Sequence, residues 1–261
     1  MIITTTGRTK DAQIKEALRL SNTYNIPYIP RKKTSIAKLK ERHQRDILVV
    51  GGEQLYLSPL LQSEKVFFHP SLAMIRAKRI AKGESDTFIE VAGLKPGMSL
   101  LDCTLGLASD SMIASMTVGD TGHVTGIEGS FPLAVLLKEG LSSLDTGYSV
   151  LNEAMRLVEV EYGDHVDYLQ TLPNNSYDVV YFDPMFTETV EESVHMQAIK
   201  ATVLTNDLSE QIIEEAKRVA STRVVLKDHW QSKRFEQYGF KQLKRRSALF
   251  HYGIIDLQTE E

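Results

Sequence analysis

The sequence predicts an α/β protein with a mostly parallel, seven-stranded sheet and a small α+β module ahead of it. Three observations carry this expectation. From Met98 onward, apolar strand-like runs alternate with helical segments, the rhythm of parallel strands joined by crossovers. The last two apolar runs follow each other closely enough to form a hairpin, which adds antiparallel strands to such a sheet. Before residue 82 the rhythm differs, with short apolar runs interleaved with basic helical stretches.

In the N-terminal part, Ile2-Ile3 starts a strand. Asp11 to Tyr24 places Ile14, Ala17, Leu18 and Leu20 at helical spacing, Pro27-Tyr28-Ile29-Pro30 is a short apolar run, and Ile36 to His43 is a second helix. Ile47-Leu48-Val49-Val50 and Gln54-Leu55-Tyr56-Leu57 flank a Gly-Gly-Glu turn and predict a hairpin, with Val66-Phe67-Phe68 as a further strand. Ser71 is the expected N-cap of a helix through Lys82 that ends at Gly83.

Five crossover strands follow: Ser99–Asp102, Val124–Glu128, Val158–Tyr162, Val179–Phe182 and Arg223–Lys227. Phe240–Lys244 and Ala248–Leu257 complete the sheet as the antiparallel pair, and residues 140–153 and 187–208 read as long connections. The expected domains are a basic α+β module over residues 1–82 and a Rossmann-like domain over residues 83–261.

A chain of 261 residues buries a core without difficulty. No apolar run approaches the ~18 residues needed to span a bilayer, and the first residues carry no basic-then-apolar signal, so a cytoplasmic protein is expected. The lone Cys103 excludes an internal disulfide, and the histidines fall at no ligand spacing, so no metal site is expected. The net charge of −4 conceals a division: residues 1–82 carry a balance of +10 and the remainder −14. A basic module on an acidic body suits a polyanionic partner, because attraction to phosphates adds up over cations regardless of base sequence.

The first crossover strand ends in Asp102 and turns through Thr104-Leu105-Gly106-Leu107-Ala108-Ser109 into a helix beginning near Asp110. A glycine here lets backbone approach a ligand closely, at the strand ends where open α/β sheets bind ligands. Glu128 ends the second strand, where a carboxylate can accept from both ribose hydroxyls of an adenine nucleoside, and Gly129 follows it. Gly163-Asp164-His165 follows the third strand, where an Asp can accept from the adenine amine. The phosphate-cradling Gly-x-Gly-x-x-Gly pattern is incomplete, which favours S-adenosylmethionine over a dinucleotide.

The most specific stretch is Asp183-Pro184-Met185-Phe186, directly after the fourth strand. A base amine is a poor nucleophile because its lone pair is delocalised into the ring. A carboxylate and a backbone carbonyl that accept its two N–H groups favour the tetrahedral nitrogen able to attack a methyl group. Asp183 is the expected acceptor, Pro184 holds the turn with its fixed φ, and Phe186 stacks on the base.

These residues resemble the bacterial small-subunit (16S) ribosomal RNA guanine-N2 methyltransferases with an Asp-Pro-Met-Phe motif, a family of class I S-adenosylmethionine-dependent methyltransferases. The resemblance spans residues 65–257. It includes Lys65-Val66-Phe67-Phe68, Asp102-x-Thr104-x-Gly106-Leu107-x-x-Asp110, Glu128-Gly129 and the segment after it, the tetrapeptide, and Arg223-Val224-Val225-Leu226-Lys227. It implies a Rossmann-like fold and cofactor contacts from Ser109, Asp110, Glu128, Gly129, Asp164, His165 and Asp183, alongside Asp102 and Gly106. It also implies that the helix carrying Arg76, Lys78 and Arg79 closes over cofactor or RNA, with Lys227 a further substrate contact. Three departures lie where cofactor or substrate should sit: Ala108-Ser109 for Gly-Arg, Thr187-Glu188 for Pro-His, and Asp228-His229 for Arg-Pro.

The expected activity is methyl transfer to an exocyclic base amine of RNA, guanine N2 of ribosomal RNA or of the small ribosomal subunit. Two alternatives stay open: methylation of a small molecule or protein side chain, and a non-catalytic RNA-binding or ribosome-assembly factor.

Overall fold

A computed structural model describes residues 1–184, 208–246 and 248–258, which fall into two compact units.

The first unit comprises Met1–His69 and Ser130–Leu144. It contains β1 (Ile2–Thr5), α1 (Asp11–Tyr24), α2 (Ile36–His43), β2 (Ile47–Val50), β3 (Leu55–Ser58) and β4 (Val66–Phe67), in a sheet of order β1-β2-β3-β4. β1 and β2 run parallel, while β2, β3 and β4 pair antiparallel. All four residues of β2 are buried, as expected of a continuous apolar run. The Pro27–Pro30 run lies along the other side of β1, where the Ile29 N–H donates to the Ile3 carbonyl at 2.8 Å. The sixth helix in chain order, α6 (Phe131–Ser143), belongs to this unit. Its buried Glu139 accepts from the Tyr24 hydroxyl at 2.8 Å and from Arg19.

The second unit comprises Pro70–Gly129 with residues 145–184 and 208–258. In chain order it runs α3 (Ser71–Ile80), α4 (Thr87–Ala92), β5 (Ser99–Asp102), α5 (Ser109–Val118), β6 (His123–Glu128), α7 (Ser149–Arg156), β7 (Val158–Tyr162), α8 (His165–Thr171) and β8 (Tyr177–Phe182). It continues through the helix Glu210–Val219, β9 (Ala220–His229), the helix Arg234–Gln237, β10 (Lys241–Leu243) and β11 (Phe250–Asp256). The sheet order is β10-β11-β9-β8-β5-β6-β7. β5 to β9 pair parallel with one another, and β11 is antiparallel to both β9 and β10. This is the expected mostly parallel, seven-stranded sheet.

Leu100, Leu101, Val179, Val180, Val224 and Leu226 are fully buried, so the central strands are covered on both faces. After β5 the chain adds strands on one side, and from β8 it adds them on the other. The strand order therefore reverses between β5 and β8, opening a crevice at their carboxyl ends.

Several local expectations are corrected. Ser71 is the first residue of α3 instead of its cap: Pro70 stands at the cap and its carbonyl accepts the Met74 N–H at 2.7 Å. The fixed φ of proline starts the turn one residue early. The helix ends at Ile80 instead of Lys82, and Gly83 turns the chain with φ +84°. α3 belongs to the second unit and α6 to the first. The connection expected over 140–153 contains the last turn of α6 and the start of α7, and residues 187–207 lie outside the described residues. Among the described residues, no helix is long and apolar enough to cross a membrane.

Candidate active site

The reversal point gathers β5, β8 and β9, with α5 springing from β5. The Leu101-Asp102 end of β5 is held by the Cys103 N–H, which donates to the Tyr181 carbonyl of β8 at 2.9 Å. The chain then turns through Gly106, at φ +52°, and Ala108, at φ +59°, into α5. The Leu105 N–H donates to the Ile127 carbonyl at 3.1 Å, tying this turn to β6. Gly126 makes the approach possible, because a Cβ there would stand 2.2 Å from Leu105 Cδ1.

A buried relay connects this turn to the end of β8. Asp102, 2% exposed, accepts from Ser111 Oγ at 2.6 Å and from the Thr104 N–H at 3.0 Å. Thr104 Oγ1 in turn accepts the Asp183 N–H at 2.6 Å. Burial pushes the Asp102 carboxyl up to about 7, against the pull of its hydrogen bonds from Ser111 and Thr104.

Asp110, Asp183 and Lys227 form the charged centre. Lys227 Nζ lies 2.6 Å from Asp183 Oδ2 and 3.2 Å from Asp110 Oδ2. Asp110 also accepts from the Tyr181 hydroxyl at 2.8 Å and from Arg76. Burial works against the Asp110 carboxylate, but Lys227 and Arg76 outweigh it and hold the group down at about 2. For Asp183 the balance goes the other way. Burial, with the charge of Asp110 behind it, raises the carboxyl above its ordinary value although Lys227 pulls it back. Desolvation disfavours the Lys227 ammonium, yet Asp183 and Asp110 raise its affinity for its proton overall.

Arg76 points inward from α3. Its guanidinium meets the two oxygens of Asp86, each at 2.8 Å, and reaches Asp110 with its remaining arm. Lys78 and Arg79, expected beside it as substrate contacts, are exposed, and Arg79 pairs with Glu84 at 2.7 Å. The structure therefore separates Arg76 from Lys78, which stands two helical positions on and faces elsewhere, and from Arg79, which lies at the end of α3 and is drawn to Glu84.

Along the same sheet edge, Glu128 is 2% exposed, and its carbonyl accepts the Gly163 N–H at 3.2 Å. Gly129 is the next residue. Asp164 caps α8 by accepting from the Val166 N–H at 2.8 Å. His165 packs edge-on to Phe182 with ring centroids 6.1 Å apart, and burial lowers its affinity for a proton.

Two polar atoms here, Ser109 Oγ and His165 Nε2, are buried and lack a hydrogen-bond partner among the described residues. A buried polar atom without a partner costs ~1–3 kcal/mol. A ligand bearing donors and acceptors would relieve that cost, so these two positions fit a nucleoside-bearing group. Pro184 is half-buried directly after Asp183; Met185, Phe186, Thr187 and Glu188 lie outside the described residues. Asp228, one of the departures, is buried and is answered locally by Arg234 Nη1 at 2.9 Å and Ser232 Oγ at 2.6 Å. Among the described residues, no group of three or more His, Cys, Asp or Glu side chains is arranged to hold a metal ion.

Sequence reasoning missed Asp86, Ser111 and Tyr181. Asp86 precedes a helix as a capping residue does, and that was its one local signal. Ser111 and Tyr181 carry none: Ser111 meets Asp102 only through the turn that brings α5 back beside β5, and the partner of Tyr181 lies 71 positions away.

Residues 32–246 match a protein family described as "Putative SAM-dependent methyltransferase". The chain is 49% identical over 254 residues to "Uncharacterized protein YpiP" of Bacillus subtilis (strain 168), covering 97% of this chain and 98% of that protein. It is 32% identical over 152 residues to a ribosomal RNA small subunit methyltransferase J of Laribacter hongkongensis (strain HLHK9), a match covering 56% of this chain and 52% of that protein. Among solved structures, a SAM-dependent methyltransferase from Neisseria gonorrhoeae superposes with a TM-score of 0.60 at 16% identity, covering 100% of this chain and 98% of that one, a likeness of fold. With the class I fold in place and the family match spanning most of its length, the chain belongs to the S-adenosylmethionine-dependent methyltransferases.

Proposed function

We propose that this methyltransferase acts on an exocyclic base amine of RNA, with guanine N2 of ribosomal RNA as its target. The observation that carries this reading is the Asp183 carboxylate, at the carboxyl end of β8 beside the strand-order reversal and directly followed by Pro184.

When bound, S-adenosylmethionine supplies an electrophilic methyl group on a sulfonium sulfur. Glu128 would hold the ribose hydroxyls, Ser109 and His165 would satisfy their buried polar atoms against the nucleoside, and Asp164 would reach the adenine. Asp102, Gly106, Asp110 and Gly129 would form the wall of this pocket. Asp183 would accept an N–H of the base amine and draw its nitrogen toward the tetrahedral form. The amine proton lost on methylation would pass by way of the Asp183 carboxylate to water. Much of the acceleration comes from orientation and from fixed charge in a site shielded from water.

The partial match to a ribosomal RNA methyltransferase supports an RNA substrate. So does the first unit. The exposed Arg8, Lys10, Lys32 and Lys33 lie on two loops that leave β1 and its neighbouring run, and a Cβ at Gly7 would lie 3.9 Å from Arg31. Such clustered cations suit a phosphate backbone. An RNA partner of this kind puts the protein in the cytoplasm.

Mass spectrometry of nucleosides from strains with and without the gene tests the reading. One N-methylated nucleoside should disappear from small-subunit RNA on deletion and return when purified protein and cofactor are added. Asp183→Ala should fail to restore it while folding normally. A protein that bound the cofactor by calorimetry yet methylated no RNA from the deletion strain would refute the RNA assignment. One that bound no cofactor would leave the assembly-factor reading.

A further inference from the structure

Three carboxylates converge near the end of β8, Asp102 buried and Asp110 and Asp183 partly buried, and one lysine bridges the latter two. Lys227 Nζ is 2.6 Å from Asp183 Oδ2 and 3.2 Å from Asp110 Oδ2, with its ammonium 5.0 Å from the centre of the Phe250 ring. The two partners differ in what else they have. Asp110 also holds Arg76 and the Tyr181 hydroxyl, whereas Lys227 is the donor to the Asp183 side chain among the described residues.

We propose that Lys227 is a positioning residue that keeps Asp183 an ionised acceptor and releases it to the substrate amine while remaining paired with Asp110. The inference rests on Asp183 being the amine acceptor. Its physical basis is a conflict between burial and charge. Facing Asp183 are Asp102 from β5, Asp110 from α5, Tyr181 from β8, Tyr252 from β11 and Asp228 from β9, with Lys227 and the more distant Arg76 as cations. Asp228 is already answered by Arg234.

A carboxyl buried among like charges takes up a proton unless a cation opposes it. Asp102, whose side-chain and backbone partners are uncharged, illustrates the outcome at about 7. A protonated Asp183 would present a donor to one N–H of the amine, where an acceptor is needed. Lys227 prevents this. Because its ammonium has three N–H groups, it can yield the Asp183 oxygen to an incoming amine and stay satisfied by Asp110.

The test uses the full chain with ¹³C-labelled aspartate. The Asp183 carboxyl resonance is identified by its loss in Asp183→Asn and titrated in wild type, Lys227→Met and Lys227→Arg. The midpoint should rise by about one pH unit or more in Lys227→Met, the effect of losing one adjacent opposite charge, and return to within a few tenths of wild type in Lys227→Arg. The acid limb of kcat/KM should move upward by the same amount in Lys227→Met. Should that variant not fold, Lys227→Gln, which keeps N–H donors without the charge, is expected to give the same rise.

An Asp183 midpoint unchanged in the neutral variants, or equally displaced in Lys227→Arg, overturns the proposal. The NMR titration needs no turnover. If it moves as stated while the wild type methylates no RNA, the positioning role stands and the RNA reading fails.

Discussion

Replacing Arg76 with alanine removes a cation shared by two buried carboxylates. The guanidinium meets Asp86 through two 2.8 Å hydrogen bonds and Asp110 through a third, with the three side chains only 14%, 12% and 11% exposed. Removing one member of a buried ion pair costs ~3–5 kcal/mol, since the stranded charge keeps its desolvation penalty. Asp110 retains Lys227 and Tyr181, and Asp86 retains its cap on the Phe88 N–H at 3.1 Å. The loss should therefore fall near the low end, about 3 kcal/mol, or a fall in Tm of roughly 6–12 °C at this chain length.

Urea unfolding at pH 7, without cofactor or RNA, should show a lower midpoint at an unchanged slope. The pH dependence supplies a second signature. Asp110 titrates at about 2 when folded, below its ordinary 3.8, so it contributes stability above pH 4 that disappears as the pH falls toward 2. That contribution is on the order of 2 kcal/mol. With Arg76 gone the depression is smaller, so the gap between variant and wild type should narrow across this window. A loss below about 1 kcal/mol at pH 7, or a gap that widens on acidification, would refute the account of Arg76 as a buried tie.

Two further outcomes follow from the same geometry. Glu128→Ala should weaken cofactor binding by roughly 1–3 kcal/mol, about 5- to 150-fold in Kd by calorimetry; unchanged affinity would relocate the ribose. Gly126→Ala would set a Cβ 2.2 Å from Leu105 Cδ1 and should cost ~1–3 kcal/mol in thermal unfolding. It should also loosen the turn that Leu105 anchors, and a variant as stable as wild type would show that the turn can yield.

The central strands were legible because burial on both faces leaves a strong local trace. Leu100-Leu101 and Val179-Val180 are apolar runs of the right length between helical segments, and the structure starts β5 and β7 at the residues expected. The ends of elements were less legible where a cap left no mark. α7 begins after Tyr148, which makes no side-chain cap, and its start was hidden in an expected connection. Of the candidate site, Asp102, Glu128 and Asp183 could be named from their places at strand ends and Asp110 from the first turn of the helix after β5. Their partnerships could not. Arg76 reaches Asp110 across 34 positions and Lys227 reaches it across 117, so no local pattern distinguishes a buried tie from an RNA-facing cation. The same ambiguity grouped Arg76 with Lys78 and Arg79, which the helix turns outward.

Ala108 holds a left-handed backbone, φ +59° and ψ +21°, and is fully buried where the resembled family carries glycine. An L-residue in that conformation costs roughly 1–2 kcal/mol, while its buried methyl returns about 0.8 kcal/mol. The net cost is ~0.2–1.2 kcal/mol. Alanine at this corner is therefore tolerable without altering the bend. A search that identifies such strand-to-helix corners by counting glycines will pass over chains like this one. A search keyed to the carboxylate before the turn and the backbone path after it will find them.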